Sequence, residues 1–168
     1  QEAKKLFDQK DYQAAHQTFA KLAATAPNDH GRGACLSWAA IAVGRQEQVD
    51  QAIELAKTIK SKPLAAYTQM EILSDNKKHQ QLIAAFKEED IAAWPDRINY
   101  KGYFLRGAAY SAIKDRQAAI EDFQQCVDLA GSDLWVKLEA LNNVGALYRD
   151  LDNAKAMETY QKAFAIYD

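Results

Sequence analysis

The residues that could do chemistry in this chain are few and scattered. Three histidines, His16, His30 and His79, stand in no metal-ligand spacing. The first and last fall in helical patterns and the second in a turn, which points to solvent-facing or partly packed side chains rather than to catalysis or a metal site. The acidic run "DLDN" (150–153) has the opening of a calcium loop but neither the glycine at its sixth place nor the acid at its twelfth, so it reads as an inter-helix turn. "KEED" (87–90) reads as a solvated helix end, since acids there oppose the helix dipole. Two cysteines, Cys35 and Cys126, make neither a disulfide framework nor a metal cluster, and packing is their expected role. No glycine-rich phosphate loop is present, and no Ser or Cys has an identifiable base. The expectation is a protein without catalytic, cofactor or metal-binding residues.

Composition bounds the elements that carry these residues. The chain has 168 residues, of which 48% are hydrophobic and 26% charged, as in a folded rather than a disordered protein. Strong helix formers dominate, and only three prolines and seven glycines interrupt them, so the chain should be nearly all helical. The net charge of −2 gives no basic face for nucleic acid. No run approaches the roughly 20 apolar residues of a membrane span. The chain begins at Gln1 rather than at a methionine, which leaves its compartment open, cytoplasmic or exported.

A pattern recurs along the chain. An alanine is followed four residues later by an aromatic and three later again by a small or apolar residue. Ala119, Phe123 and Cys126 fit it, as do Ala156, Tyr160 and Ala163, and Ala15, Phe19 and Leu22. Ala52, Ala56 and Ile59 fit with a smaller middle residue, and Leu82 with Phe86 fit with a larger first one. Spacing of four then three marks one helix face. The copies start at 15, 52, 82, 119 and 156, and a recurring unit of this size means a helical array.

A second amphipathic helix precedes each copy. Its face carries Tyr103, Gly107 and Tyr110 before Ala119, and Leu141, Gly145 and Tyr148 before Ala156. Leu36, Ala40 and Val43 serve before Ala52, and Ala66, Met70 and Leu73 before Leu82. Before Ala15 only Ala3 and Leu6 remain. Glycine costs about 1 kcal/mol against alanine inside a helix, so Gly107 and Gly145 need a packing reason. The expectation places them at the crossing of two helices, opposite Ala119 and Ala156. Tyr110 with Phe123, and Tyr148 with Tyr160, would then fill the wedge beyond.

"GAAYSAIKDRQAAIEDFQQCVDL", "GALYRDLDNAKAMETYQKAFAIY" and "DYQAAHQTFAKLAATAPND" resemble the tetratricopeptide repeat, over nearly the whole chain. The resemblance implies an all-α fold, a right-handed α-solenoid of antiparallel helix pairs with about five units, the first truncated. Turn signals at "APNDHGRG" (26–33), "KSKP" (60–63) and "AWPD" (93–96) divide one continuous domain into units of about 1–29, 30–62, 63–95, 96–132 and 133–168. Asp96 is the expected N-cap after Pro95, Gly131 a helix C-cap, and Ser132 or Asp133 the next N-cap.

The resemblance also implies a function. First helices of such arrays line an inner groove, so Lys101, Phe104, Ala108, Ser111 and Ala112 in the fourth unit and Glu139, Asn142, Ala146, Arg149 and Asp150 in the fifth would face it, with Tyr67 and Glu71 from the third. An apolar centre with mixed charges suits an extended peptide or a partner helix. One subfamily clamps acidic tails with Asn and Lys or Arg. Asn143 matches one clamp position, but Phe104 and Ala108 occupy others, which disfavours that mode. The expected role is a protein-interaction scaffold. The alternative is an accessory or assembly domain of a larger enzyme or cell-envelope protein. The last helix, about 153–167, carries Met157, Tyr160, Phe164 and Tyr167, more apolar surface than one partner helix covers, so this end is expected either to continue into a longer chain or to pack against a second copy, with Phe164 and Tyr167 as the contact.

Overall fold

A computed structural model describes residues 1–166, which form ten α-helices and one short 3-10 turn and, among the described residues, no strand. The chain divides into two compact units, Gln1–Lys78 and His79–Asp168. The first holds α1 (Glu2–Asp8), α2 (Tyr12–Thr25), α3 (Asp29–Gly44), α4 (Val49–Lys57) and α5 (Lys62–Asp75). The second holds α6 (His79–Phe86), the 3-10 turn Ile91–Ala93, α7 (Asp96–Ala112), α8 (Arg116–Leu129), α9 (Leu134–Tyr148) and α10 (Asn153–Phe164). Within each unit every helix touches the next in sequence, and α3 meets α5 just as α7 meets α9.

The repeat register is written into the turns. Lys10, Glu47, Lys77 and Lys114 all have φ between 56 and 67°, the left-handed region. Each stands five residues before the first position of a copy: Ala15, Ala52, Leu82 and Ala119. Three of these turns close in the same way. The amides of Asp11, Lys78 and Asp115 donate to the carbonyls of Leu6, Leu73 and Tyr110, five residues back, as in a Schellman helix end. The fifth turn differs, because the amide of Asp152 donates to Tyr148 only four residues back and no residue is left-handed.

Starts are set by short side-chain acceptors. Asp11, Asn28, Asp115, Asp133 and Asp152 accept from the amides of Ala14, Gly31, Ala118, Val136 and Lys155 at 2.8–3.3 Å, each satisfying an amide that the helix leaves unpaired. Asp133 is therefore the cap that follows Gly131, whose φ of +52° suits the residue just past a helix end. Asp96 is not a cap. It lies inside the first turn of α7, where its charge meets the positive end of the helix dipole, and Pro95 holds the cap position without a side-chain bond.

In the first unit small residues pack around the C-terminal half of α3, and the rings of Phe7, Tyr12, Phe19 and Trp38 cluster on its α1–α2 side. Ala39 to Gly44 are all buried, so the C-terminal part of α3 is covered all round, while Trp38 and the first turns keep an exposed side. Ala52 and Ala56 of α4 and Ile72 of α5 close one side, and Ala3, Ala15 and Phe19 the other. A Cβ at Gly44 would come within 3.0 Å of Ile72, so this glycine lets α5 approach α3.

The second unit joins the two helices of each pair with rings laid on glycines, and here the expected pairing needs correction. Ala119 and Ala156 are buried, but they are not what faces the glycines. A Cβ at Gly107 would stand 3.2 Å from the Phe123 ring, and one at Gly145 would stand 2.6 Å from that of Tyr160. A helical side chain leans toward the N-terminus of its own helix and covers the preceding turn. The aromatic four residues after the alanine thus reaches back to the crossing and lies on the glycine. The ring that then meets Phe123 is Phe104, edge-on at 5.6 Å, and not Tyr110. Tyr148 carries the Lys155 ammonium over its face at 5.5 Å. Gly102 repeats the device one turn earlier on α7, beneath the ring of Trp94.

Candidate functional site

The first helices of the second unit, α7 and α9, lie side by side. Lys101, Phe104, Ala108 and Ser111 form a half-buried stripe along α7. Asn142, Ala146 and Arg149 form an exposed one along α9. The Lys101 ammonium rests 5.7 Å from the Tyr100 ring centre. Phe104 is shared between this face and the core through Phe123. Arg149 stays exposed, with Asp150 its neighbour at 3.5 Å. Asn143 donates to the carbonyl of Glu139 at 2.8 Å within α9, an engagement local to its own helix. In the first unit Tyr67 and Glu71 are half-buried one turn apart on α5. Of the two residues expected at a self-contact, Phe164 is 74% exposed, and Tyr167 lies outside the described residues. Met157 on the same helix is 55% exposed.

Sequence reasoning passed over the polar groups that hold this face rigid. Arg106 and Asp122 form a two-pronged ion pair between α7 and α8, Nε to Oδ2 at 2.7 Å and Nη2 to Oδ1 at 2.9 Å. Their side chains are only 11% and 8% exposed. Burial pushes the Asp122 carboxyl above its ordinary value, against the opposing pull of the Arg106 hydrogen bonds and charge. The same guanidinium donates through Nη1 to the carbonyls of Phe86, Lys87 and Glu89, so it also closes the open end of α6. The signal was present but weak: Arg106 precedes Gly107 and Asp122 precedes Phe123, so a pair of residues at a known crossing has charged neighbours of opposite sign. A second link ties α7 to α9, where the Tyr100 hydroxyl donates to Asp133 at 2.9 Å. Burial first, and then that carboxylate, push the Tyr100 hydroxyl up to about 12.

The first unit has its own polar links. Ser37 and Thr68 share a buried hydrogen bond of 2.8 Å, and Thr68 passes its proton on to the carbonyl of Leu64. Asn76 donates to the carbonyl of Gly44, and Arg45 pairs with Asp75 at 2.7 Å. Both cysteines are free, and burial with the Asp133 charge pushes the Cys126 thiol up to about 12, as expected of a packing residue. Among the described residues no group of three or more His, Cys, Asp or Glu is placed to hold a metal, and no helix is long and apolar enough to cross a membrane.

No protein-family model and no curated protein matches the sequence. Solved structures do. A MamA from Desulfovibrio magneticus RS-1 superposes with a TM-score of 0.67 at 18% identity, over 98% of this chain and 90% of that one. A MamA RS-1 double mutant gives 0.68 at the same identity and coverage. Nearly identical TPR-like repeats of a Podosopora anserina kinesin light chain give 0.60 at 20% identity, over 98% and 91%. This likeness establishes the fold: the chain is a tetratricopeptide-like α-solenoid of antiparallel helix pairs.

Proposed function

We propose that this protein is a non-enzymatic scaffold that binds another protein or peptide on the first helices of its repeats. What carries the reading is the pair of stripes on α7 and α9. On this reading Lys101, Phe104 and Ser111 line a groove with Asn142 and Arg149, supported by the half-burial of the first three and the exposure of the other two. The face is apolar at its centre and carries charges of both signs, which suits an extended peptide or a helix. It is also pre-formed. Arg106, Asp122, Tyr100 and Asp133 lock the backbone beneath it, so a partner need not spend binding energy on ordering it. Tyr67 and Glu71 are the corresponding surface of the first unit.

The test is affinity capture from the native source, identified by mass spectrometry, with the wild-type chain and with Asn142→Arg/Ala146→Arg. A partner held by the first and lost by the second is the expected result. Capture that is indifferent to these substitutions would overturn the assignment.

Exposed Met157 and Phe164 support a second reading, in which α10 serves assembly with another copy. Sedimentation should then report association that Phe164→Ser abolishes. A strict monomer at high concentration would remove this reading.

A further inference from the structure

The scaffold reading leaves unassigned a cleft at the rim of the second unit, where the α7–α8 turn approaches the end of α9. Its volume is about 670 Å³, and Ser111, Lys114, Arg116, Gln117, Leu147 and Leu151 line it. Leu151 is 60% exposed, high for a leucine inside a concave site. The two cations are exposed, and among the described residues neither side chain has a hydrogen-bonding or ionic partner. The carboxylates nearby in sequence are engaged elsewhere. Asp115 caps α8 through Ala118, and Asp152 caps α10 through Lys155. Glu121 accepts from Gln117, and Asp150 lies beside Arg149. Lys114 is moreover held in the left-handed conformation, φ 67°, by the turn that closes on Tyr110, so its backbone position is fixed.

We propose that this cleft takes an acidic segment of a partner protein, with carboxylates at Lys114 and Arg116 and an aliphatic or aromatic side chain on Leu147 and Leu151. The proposal rests on the scaffold reading and adds to it the chemistry of the partner. The lining carries two cations and no carboxylate, which favours an anionic ligand. The leucines select one that also brings an apolar side chain, because covering them removes apolar surface from water. A nucleic acid fits less well. The lining has no aromatic ring on which a base could stack.

The experiment uses the whole chain and three pools of short fluorescent peptides, built from Glu and Leu, from Glu and Ser, and from Lys and Leu, with a single-stranded oligonucleotide alongside. Fluorescence anisotropy should register binding of the Glu/Leu pool above all others, weakening as salt rises. Lys114→Asn with Arg116→Gln should lower that affinity about tenfold, the scale of two exposed ion pairs. Asparagine tolerates the left-handed turn, so the fold is kept, and an unchanged melting curve verifies it. Leu151→Ser should weaken binding without changing its salt dependence. The proposal falls if the charge variants bind as well as wild type, if the Glu/Ser pool equals the Glu/Leu pool, if the oligonucleotide binds more tightly, or if no pool binds. Glu/Leu binding lost in Asn142→Arg/Ala146→Arg but retained in the Lys114 and Arg116 variants would reject the cleft while supporting the first-helix groove.

Discussion

The two compact units use glycine at different crossings and by different means: the first where two successive first helices meet, the second where a first helix meets its own second helix. Between α3 and α5 the close approach is made with Gly44 beneath Ile72 and a neutral hydrogen bond between Ser37 and Thr68, while the rings of Phe7 and Phe19 meet Trp38 on the other side of α3. Around α7 and α9 it is made with rings laid on Gly107 and Gly145, and with a charged pair, Arg106 and Asp122, sealed beside one of them. Small residues leave no pocket that must be filled by one shape. A ring on a glycine does, and a buried ion pair adds a fixed geometry. The second unit should therefore be the less tolerant of substitution, although the turns preceding Ala15, Ala52, Leu82 and Ala119 all use a left-handed residue at the same place.

The contrast is broken most directly at Asp122. Asp122→Ala would strand the Arg106 guanidinium in a site that is 11% exposed, and breaking such a pair costs about 3–5 kcal/mol. Chemical denaturation should show this loss. Because Arg106 also holds the carbonyls that end α6, hydrogen exchange should rise in residues 86–89 as well. A loss under about 1 kcal/mol would mean that water reaches the pair.

Next come the glycines, Gly145 against the second helix of its own pair and Gly44 against the first helix of the next. Gly145→Ala places a methyl 2.6 Å from the Tyr160 ring and should cost about 1–3 kcal/mol. Gly44→Ala meets Ile72 at 3.0 Å, a smaller intrusion, and the helix propensity of alanine returns about 1 kcal/mol, so it should lie near neutral. Tyr160→Leu should relieve much of the Gly145→Ala penalty, a coupling that a double-mutant cycle measures. Equal costs at the two glycines would erase the distinction between the units.

A milder effect is expected in the first unit. Ser37→Ala alone leaves Thr68 with its bond to Leu64 and should cost about 1 kcal/mol. Adding Thr68→Val replaces the second polar partner with an apolar one of similar shape, and the pair should then approach wild-type stability. Thermal melts of the single and double variants distinguish this from a strictly additive loss.

The smallest change should be a gain, and it should be shared by both units. Lys77→Gly and Lys114→Gly remove a side chain from the left-handed conformation, which costs about 1–2 kcal/mol for such residues, while glycine's extra freedom in the unfolded chain takes back about 0.5–1. A net rise of about 0.5–1 kcal/mol is expected at each. Loss of stability at either would show that its lysine makes a compensating contact.

Much of this architecture is legible in the order of residues. Four-then-three spacing put the second helices where they are, because it records which side chains share a helix face, and the turns fall in step with it. Lys101, Phe104, Ser111 and Asn142, proposed to line a groove, could be placed on first helices by the same reasoning, and Arg149 at the end of one. Their placing does not establish what they bind. What the sequence could not state is which neighbour a face meets and at what height. Gly107 was expected against Ala119 and lies under Phe123 instead, since the lean of a side chain along its helix shifts each contact by about one turn.

Periodicity is likewise blind to a charge that becomes buried only when helices assemble. Arg106 and Asp122 look like ordinary surface residues until α8 packs on α7 and the α6 carbonyls arrive. The rim cleft has the same origin: Lys114 and Leu151 are 37 residues apart and become neighbours because α8 runs back along α7 and α9 returns in the direction of α7, bringing the two helix ends together. The helices, their ends and their apolar faces thus follow from local chemistry in this chain. The partners of its buried charges and the shape of its open surfaces follow from how the helices pack, because burial and long-range proximity exist only in the folded molecule.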